Sequence, residues 1–369
     1  MSTAPPTAPT GTAAVSPRPV RARQLAATGS YQELSRQVRE AGLLERTRGF
    51  YVGLLLALGA ALAAIGGGMV LLGDSWFQLL LAAALGVVLT QVAFVSHEAS
   101  HRQVLTSGRG NDRLGRVLAN GVVGISHQWW MTKHSRHHAN PNKVGKDPDI
   151  EPDTILFLEE DAQARTGLKA RLTRFQGYAF FPLLTLEGVN LHVTSVRSLL
   201  AAERSRARTG ELVVLAVRLL AYAALVVWLL PIGLAAAFLA VQLAVFGVYM
   251  GASFAPNHKG MAIVAADSVL DFLSKQVLTS RNISGGGPMS AAMGGLNYQI
   301  EHHLFPSMPR PHLARARRLV RAHCATHGVP YTETTLLRSY AIVVRYLNRV
   351  GLAARDPFDC PMVGRYRRV

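Results

Sequence analysis

The pentapeptide His97-Glu98-Ala99-Ser100-His101 satisfies H-E-x-x-H. In that pattern two imidazoles one helical turn apart bind a metal, and the glutamate between them serves as general base. Read alone, it leaves two readings open, a membrane zinc protease or a different metal site, and the other histidines decide between them. Two further clusters of the same chemistry follow. "HSRHH" holds His134, His137 and His138, and "QIEHH" holds Gln299, His302 and His303. Spacings of three and four residues put such ligands on one helix face, where several imidazoles converge. His258 stands apart in "APNHKG", and a single histidine near a helix end is more often a satisfied polar residue than a ligand. These are eight of the thirteen histidines, with one glutamine. Zinc sites are four-coordinate, so one ion uses only about half of that set. Two metals in one imidazole-rich site fit the count better. Imidazole suits iron, zinc, copper and nickel alike, so ligand type does not name the metal.

The elements that must position these residues are membrane spans. The chain has 369 residues, 49% of them hydrophobic, and a mean hydropathy of +0.20. Four apolar runs reach the roughly 20 residues a bilayer requires: about 50–72, 76–95, 212–230 and 232–254. They form two hairpins, the second turning at Pro231 and Gly233. The hairpin loops "GDSW" and "PIG" hold no Lys or Arg, whereas the other connections and both termini are rich in Arg. The positive-inside rule therefore places both termini and every histidine cluster on the cytoplasmic side of an inner or plasma membrane. Arg218, near the start of the third span, reads as snorkelling to the interface.

Between the hairpins, "RLGRVLANGVVGISHQWWMTKH" and "FQGYAFFPLLTLEGVNLHV" read as interfacial helices. The glycines of the first span, Gly59, Gly66, Gly67 and Gly68, are expected to serve close helix packing. The predicted fold class is an all-α integral membrane protein, two transmembrane hairpins under a cytoplasmic helical cap that holds the histidines. Residues 1–45 form a basic, disordered tail, 46–345 the membrane domain and 346–369 a basic C-terminal tail. The net charge of +17 fits anionic lipid; no basic stripe with interleaved aromatics argues for nucleic acid. Cys324 and Cys360 form no C-x-x-C and read as ordinary reduced thiols.

With these residues in view, a resemblance is plain. HEASH, "HSRHHANPN" with "DPDI" after it, and "GGLNYQIEHHLFPSMPR" together resemble the membrane-bound fatty acid desaturases over about residues 50–340. The third box, with glutamine replacing its first histidine, is similar to that of the front-end acyl desaturases. These place a double bond between an existing one and the carboxyl end. The resemblance implies two irons, held by His97, His101, His134, His137, His138, His302 and His303, with Gln299 as a weak ligand and His258 as the extra histidine after the fourth span. It makes Glu98 and Asp147, and with them Asp149, carboxylates that orient ligand imidazoles, as metal-bound histidines require. Asn140 and Asn142 are positional candidates only, and His192 has no box around it.

The implied reaction is dioxygen-dependent desaturation of a fatty acyl chain linked to CoA, a carrier protein or a lipid. Breaking an unactivated C–H bond needs such a cofactor, because acid–base side chains cannot do it. Front-end desaturases often carry a fused cytochrome b5 domain with a His-Pro-Gly-Gly loop. This sequence has no such motif, so an external ferredoxin, flavoprotein or cytochrome system is expected to supply the electrons. Hydroxylation on the same scaffold is the alternative reaction. A metal-binding or sensing protein without activity, and the zinc protease, stand further back.

Overall fold

The computed structural model describes residues 30–354. Four helices are long and apolar enough to cross a membrane: Arg48–Leu72, Gln78–Ser100, Arg206–Leu229 and Ile232–His258. In hydrocarbon every backbone N–H and C=O must be satisfied within the segment, which forces these runs into helices. The fourth has 27 residues and rises about 40 Å, past the roughly 30 Å of apolar bilayer. Its surplus matters. The second and fourth helices run beyond the apolar runs predicted for them and carry His97 and His258 on their last turns.

The second and fourth spans are the inner pair. Of their apolar windows 50% and 33% are buried, against 11% for each of the first and third, which face lipid. Gly86 lets the inner pair touch, because a Cβ there would lie 2.8 Å from the Gln242 carbonyl oxygen. Gly188 and Gly247 do the same between the Glu187–Ala201 helix and the fourth span. The first-span glycines do not all behave as expected. Gly59, Gly66 and Gly67 meet nothing within 4 Å, and only Gly68 packs, on Leu81. They lie on the lipid face, so the packing expectation is corrected for those three.

The two interfacial segments are helical. The first breaks into Gly108–Arg116, a π-helical turn Val117–Val123, and His127–Ala139. The second is Gln176–Leu183, running through Leu184–Leu186 into Glu187–Ala201. Arg218 is anchored, not merely extended to water: its Nε donates to the Val122 carbonyl at 3.0 Å.

A cap core joins Leu273, Val277, Ile300, Leu304 and Val320 to Leu34, Val38 and Leu43. The last three belong to the stretch read as disordered tail. Residues 30–40 are helical, and Leu34 and Val38, one turn apart, bury one face against the cap. The tail boundary at 45 is therefore too late; residues 1–29 lie outside the described residues. At the other end the Leu336–Gly351 helix runs through the boundary drawn at 346 and buries Val343 and Leu347. Residues 355–369 lie outside the described ones.

Candidate metal centre

Each histidine box sits where a helix ends or is capped. His97 lies on the last turn of the second span and His101 just past it. The His127–Ala139 helix carries His134, His137 and His138. Its N-terminus is held by Ser126, whose Oγ accepts from Trp129 N, and by Glu211 of the third span, which accepts from Gln128 N at 3.0 Å. A carboxylate there opposes the positive end of the helix dipole. The short Gln299–Leu304 helix carries the third box.

These elements bring the eight predicted histidines together in two adjoining clusters. One gathers ring nitrogens of His97, His101, His134, His138 and His302 within 4.8 Å of one another; the other does so for His137, His258 and His303. Within them Nε2 faces Nε2: His97–His134 at 2.9 Å, His101–His134 at 2.8 Å, His138–His302 at 3.2 Å and His137–His258 at 3.3 Å. The His138 and His303 rings stack at 4.2 Å, so the clusters share a wall.

The donor set fits metal ions. A neutral imidazole nitrogen carries either a proton or a lone pair. His134 Nε2 faces two partners and can donate to only one of them. Buried His303 Nε2 and His97 Nδ1 have no hydrogen-bond partner at all. Lone pairs converging this closely repel unless a cation sits among them. Nitrogens that share one ion at roughly 2.0–2.1 Å lie about 3 Å apart, in line with the spacing observed.

The opposite ring nitrogens are fixed from behind. His137 Nδ1 lies 3.0 Å from both oxygens of buried Asp147, which also accepts from the backbone of Asn142 and Asp149. His258 Nδ1 donates to the Thr279 carbonyl at 2.9 Å. His303 Nδ1 lies 2.9 Å from Oε1 of Gln276, whose Nε2 donates to the His138 carbonyl at 2.9 Å. Each contact keeps the proton on Nδ1 and turns the Nε2 lone pair inward. Burial pushes His101 down to about 4. Burial first, and neighbouring imidazoles second, hold His134, His138, His302 and His303 well below the ordinary histidine range. Neutral imidazole is the ligand form.

Other predicted residues stand elsewhere. The Glu98 carboxylate takes a paired contact from Arg310, Nε at 2.8 Å and a terminal nitrogen at 2.6 Å, with the Tyr51 hydroxyl at 3.3 Å. Its partners are thus Arg310 and Tyr51, not a ligand imidazole, and it ties the first box to the segment after the third. Held this way it is unavailable as the general base of a zinc protease. Gln299 turns its amide nitrogen to His258 Nε2 at 2.9 Å and its oxygen to Asn257 Nδ2 at 3.1 Å. That orients it as a hydrogen-bond donor beside the smaller cluster. Asp149 pairs with Lys133 at 2.9 Å and lies 3.4 Å from His137. Asn142 holds the carbonyl of His258, while Asn140 caps the second-box helix. His192 donates to Gly188 O at 2.6 Å in its own helix, apart from both clusters.

Three further residues brace the site without a signal of their own in the sequence. Gln276 links His138 to His303. Arg281, 1% exposed, donates to the Pro256 and Lys259 carbonyls on either side of His258. Glu301, inside the third box, is held by Asn282 at 2.7 Å and Tyr331 at 2.8 Å; burial pushes it up to about 7 against those bonds. No local spacing marks any of them, since each acts through a contact distant in sequence. Trp130, stacked on His134, and Phe254, edge-on to His97, add apolar walls beside the larger cluster.

Fold and site together define a helical membrane protein with a histidine-lined centre gathered at one end of its spans. The sequence pattern of the fatty acid desaturase family matches residues 74–335, and the chain belongs to that family. It is an oxidoreductase, a fatty acid desaturase. Among its relatives is a Delta(8)-fatty-acid desaturase of Helianthus annuus, 26% identical over 339 residues that cover 88% of this chain and 74% of that protein. An acyl-lipid (9-3)-desaturase of Physcomitrium patens is 30% identical over 72% of this chain and 52% of its own length. A Delta(8)-fatty-acid desaturase of Euglena gracilis is 30% identical over 72% of this chain and 66% of its own length.

Proposed function

We propose that this desaturase introduces a cis double bond of the front-end type, using dioxygen, two electrons from an external carrier and two irons held by the two histidine clusters. The observation that carries the reading is the pair of adjoining clusters with converging Nε2 atoms. His97, His101, His134, His138 and His302 would hold one iron; His137, His258 and His303 the other, with the Gln299 side chain beside it. When bound, the irons supply the power to activate dioxygen and remove two hydrogens from adjacent methylenes, a step no protein side chain provides.

The chain's own residues do the rest. Asp147, Thr279 and Gln276 hold the ligand rings in the metal-binding tautomer. Glu98 and Arg310 hold the first and third boxes in register. Trp130 and Phe254 present an apolar surface to the acyl chain and exclude water. Front-end placement is supported by "GLNYQIEHHLFP" and by the names of the relatives. A cytoplasmic site is supported by hairpin loops without Lys or Arg. An acidic donor such as a ferredoxin is supported by the excess of 39 Lys and Arg over 22 Asp and Glu.

The test is the fatty-acid profile of a host expressing the protein with a ferredoxin system, double bonds located by mass spectrometry, and iron counted per purified chain. A new unsaturated species with about two irons is expected, both lost in His302→Ala and kept in large part in His192→Ala. A hydroxylated product would overturn the reaction, and wild-type product and iron in His302→Ala would overturn the site.

A further inference from the structure

Arg218 has a place in the third span that the desaturase chemistry does not use. It lies seven residues past Glu211, about 10 Å into the apolar run, within reach of the membrane surface for a long side chain. Its Nε is held by the Val122 carbonyl at 3.0 Å, and its guanidinium lies 4.7 Å over the Tyr222 ring. The Tyr222 hydroxyl is fixed in turn by Gln242 at 3.2 Å. Among the described residues its two terminal nitrogens make no hydrogen bond, and no carboxylate pairs with it. A cation in a span is ordinarily paired, so this orientation asks for an anion.

Beside it runs an open groove of about 560 Å³ lined by Gly121, Val213, Val217, Tyr222 and Leu225. Val213 and Val217 are 55% and 61% exposed, on the lipid-facing side of the span. An apolar trough ending at an immobilised, unpaired guanidinium complements an amphiphile with an anionic head. The planar fork of arginine matches phosphate oxygens in pairs.

We propose that this groove, between the third span and the Val117–Val123 turn, is a binding site for an anionic phospholipid, its phosphate on Arg218 and one acyl chain along Val213, Val217 and Leu225. It stands independently of the metal centre, so its failure leaves the desaturase reading untouched. The test uses the full chain in nanodiscs of equal phosphatidylglycerol and phosphatidylcholine, re-extracted and weighed with its retained lipids by native mass spectrometry. One favourable arginine contact corresponds to about fivefold enrichment of phosphatidylglycerol. The net charge of +17 attracts anionic lipid over the whole surface, so the variants decide. Val217→Trp fills the groove and keeps every charge; Arg218→Met removes the phosphate contact. Both are expected to fall to the ratio that the surface charge alone supports. A wild-type ratio near one overturns the proposal. So does a wild-type enrichment in Val217→Trp, which decides alone if Arg218→Met fails to fold.

Discussion

Gln276 shows how much of the site rests on single side chains behind the ligands. Its amide nitrogen is committed to the His138 carbonyl, so its oxygen must face His303 Nδ1. One buried amide thereby holds the His303 ring of one cluster and the backbone of His138 in the other. Gln276→Glu keeps an acceptor opposite His303, whereas Gln276→Met keeps none. Under a chelator challenge Gln276→Glu is expected to retain metal better, by about tenfold in affinity. A residue that merely fills space would show the reverse order, because methionine avoids burying a charge; metal counts after dialysis distinguish the two. The depressed histidines carry a second expectation. His101 titrates near 4 in the fold and near 6.5 when unfolded. Between those values the unfolded chain binds more protons, so the metal-free protein loses stability as pH falls from about 6.5 towards 4. Thermal unfolding of chelated protein across that window checks the sign; rising stability on acidification would refute it.

At the scale of elements, the inner spans decide where His97 and His258 meet. Both helices continue past their apolar runs, and Gly86 fixes how closely they approach. A methyl at Gly86 must push aside the backbone at Gln242, which does not yield as a flexible side chain would. Gly86→Ala is expected to destabilise by about 1–3 kcal/mol, while Gly66→Ala, facing open space, leaves stability unchanged. Unfolding in detergent compares the pair, and equal effects would mean that the spans do not rely on this contact. Arg281 and the Glu98–Arg310 pair serve the same end, bracing the turns on which ligands sit. Buried charges of this kind are weak sources of net stability, but removing one partner is costly.

For the whole molecule, both hairpins put their short loops at one end and all eight cluster histidines at the other. The loops without Lys or Arg thus lie at the end away from the site, the arrangement that the proposed cytoplasmic orientation calls for. Ser75→Cys, in the first hairpin loop, is expected to react with an impermeant thiol reagent applied outside intact cells, and Ser268→Cys only after permeabilisation. The opposite pattern would invert the topology. Since the second span links loop and ligand directly, inverting it would move the centre to the other side.

The spans and the three boxes were legible in the sequence because both are local signals. An apolar run long enough to cross hydrocarbon has only one satisfied backbone conformation, and spacings of three and four residues state a shared helix face without reference to the rest of the chain. The family resemblance rested on the same local strings. Contacts between distant segments were not legible. Glu98 reads as a general base in its pentapeptide, yet its partner Arg310 lies 212 residues away. The helix at 30–40 was hidden by the composition around it, although Leu34 and Val38 already had the spacing of a buried face. Which glycines pack depends on which helices are neighbours, and that is settled only when the inner pair closes. The division of eight histidines into five and three, and the bonds that turn each Nε2 inward, arise from the same closure, because ring orientation depends on what stands behind each imidazole in space.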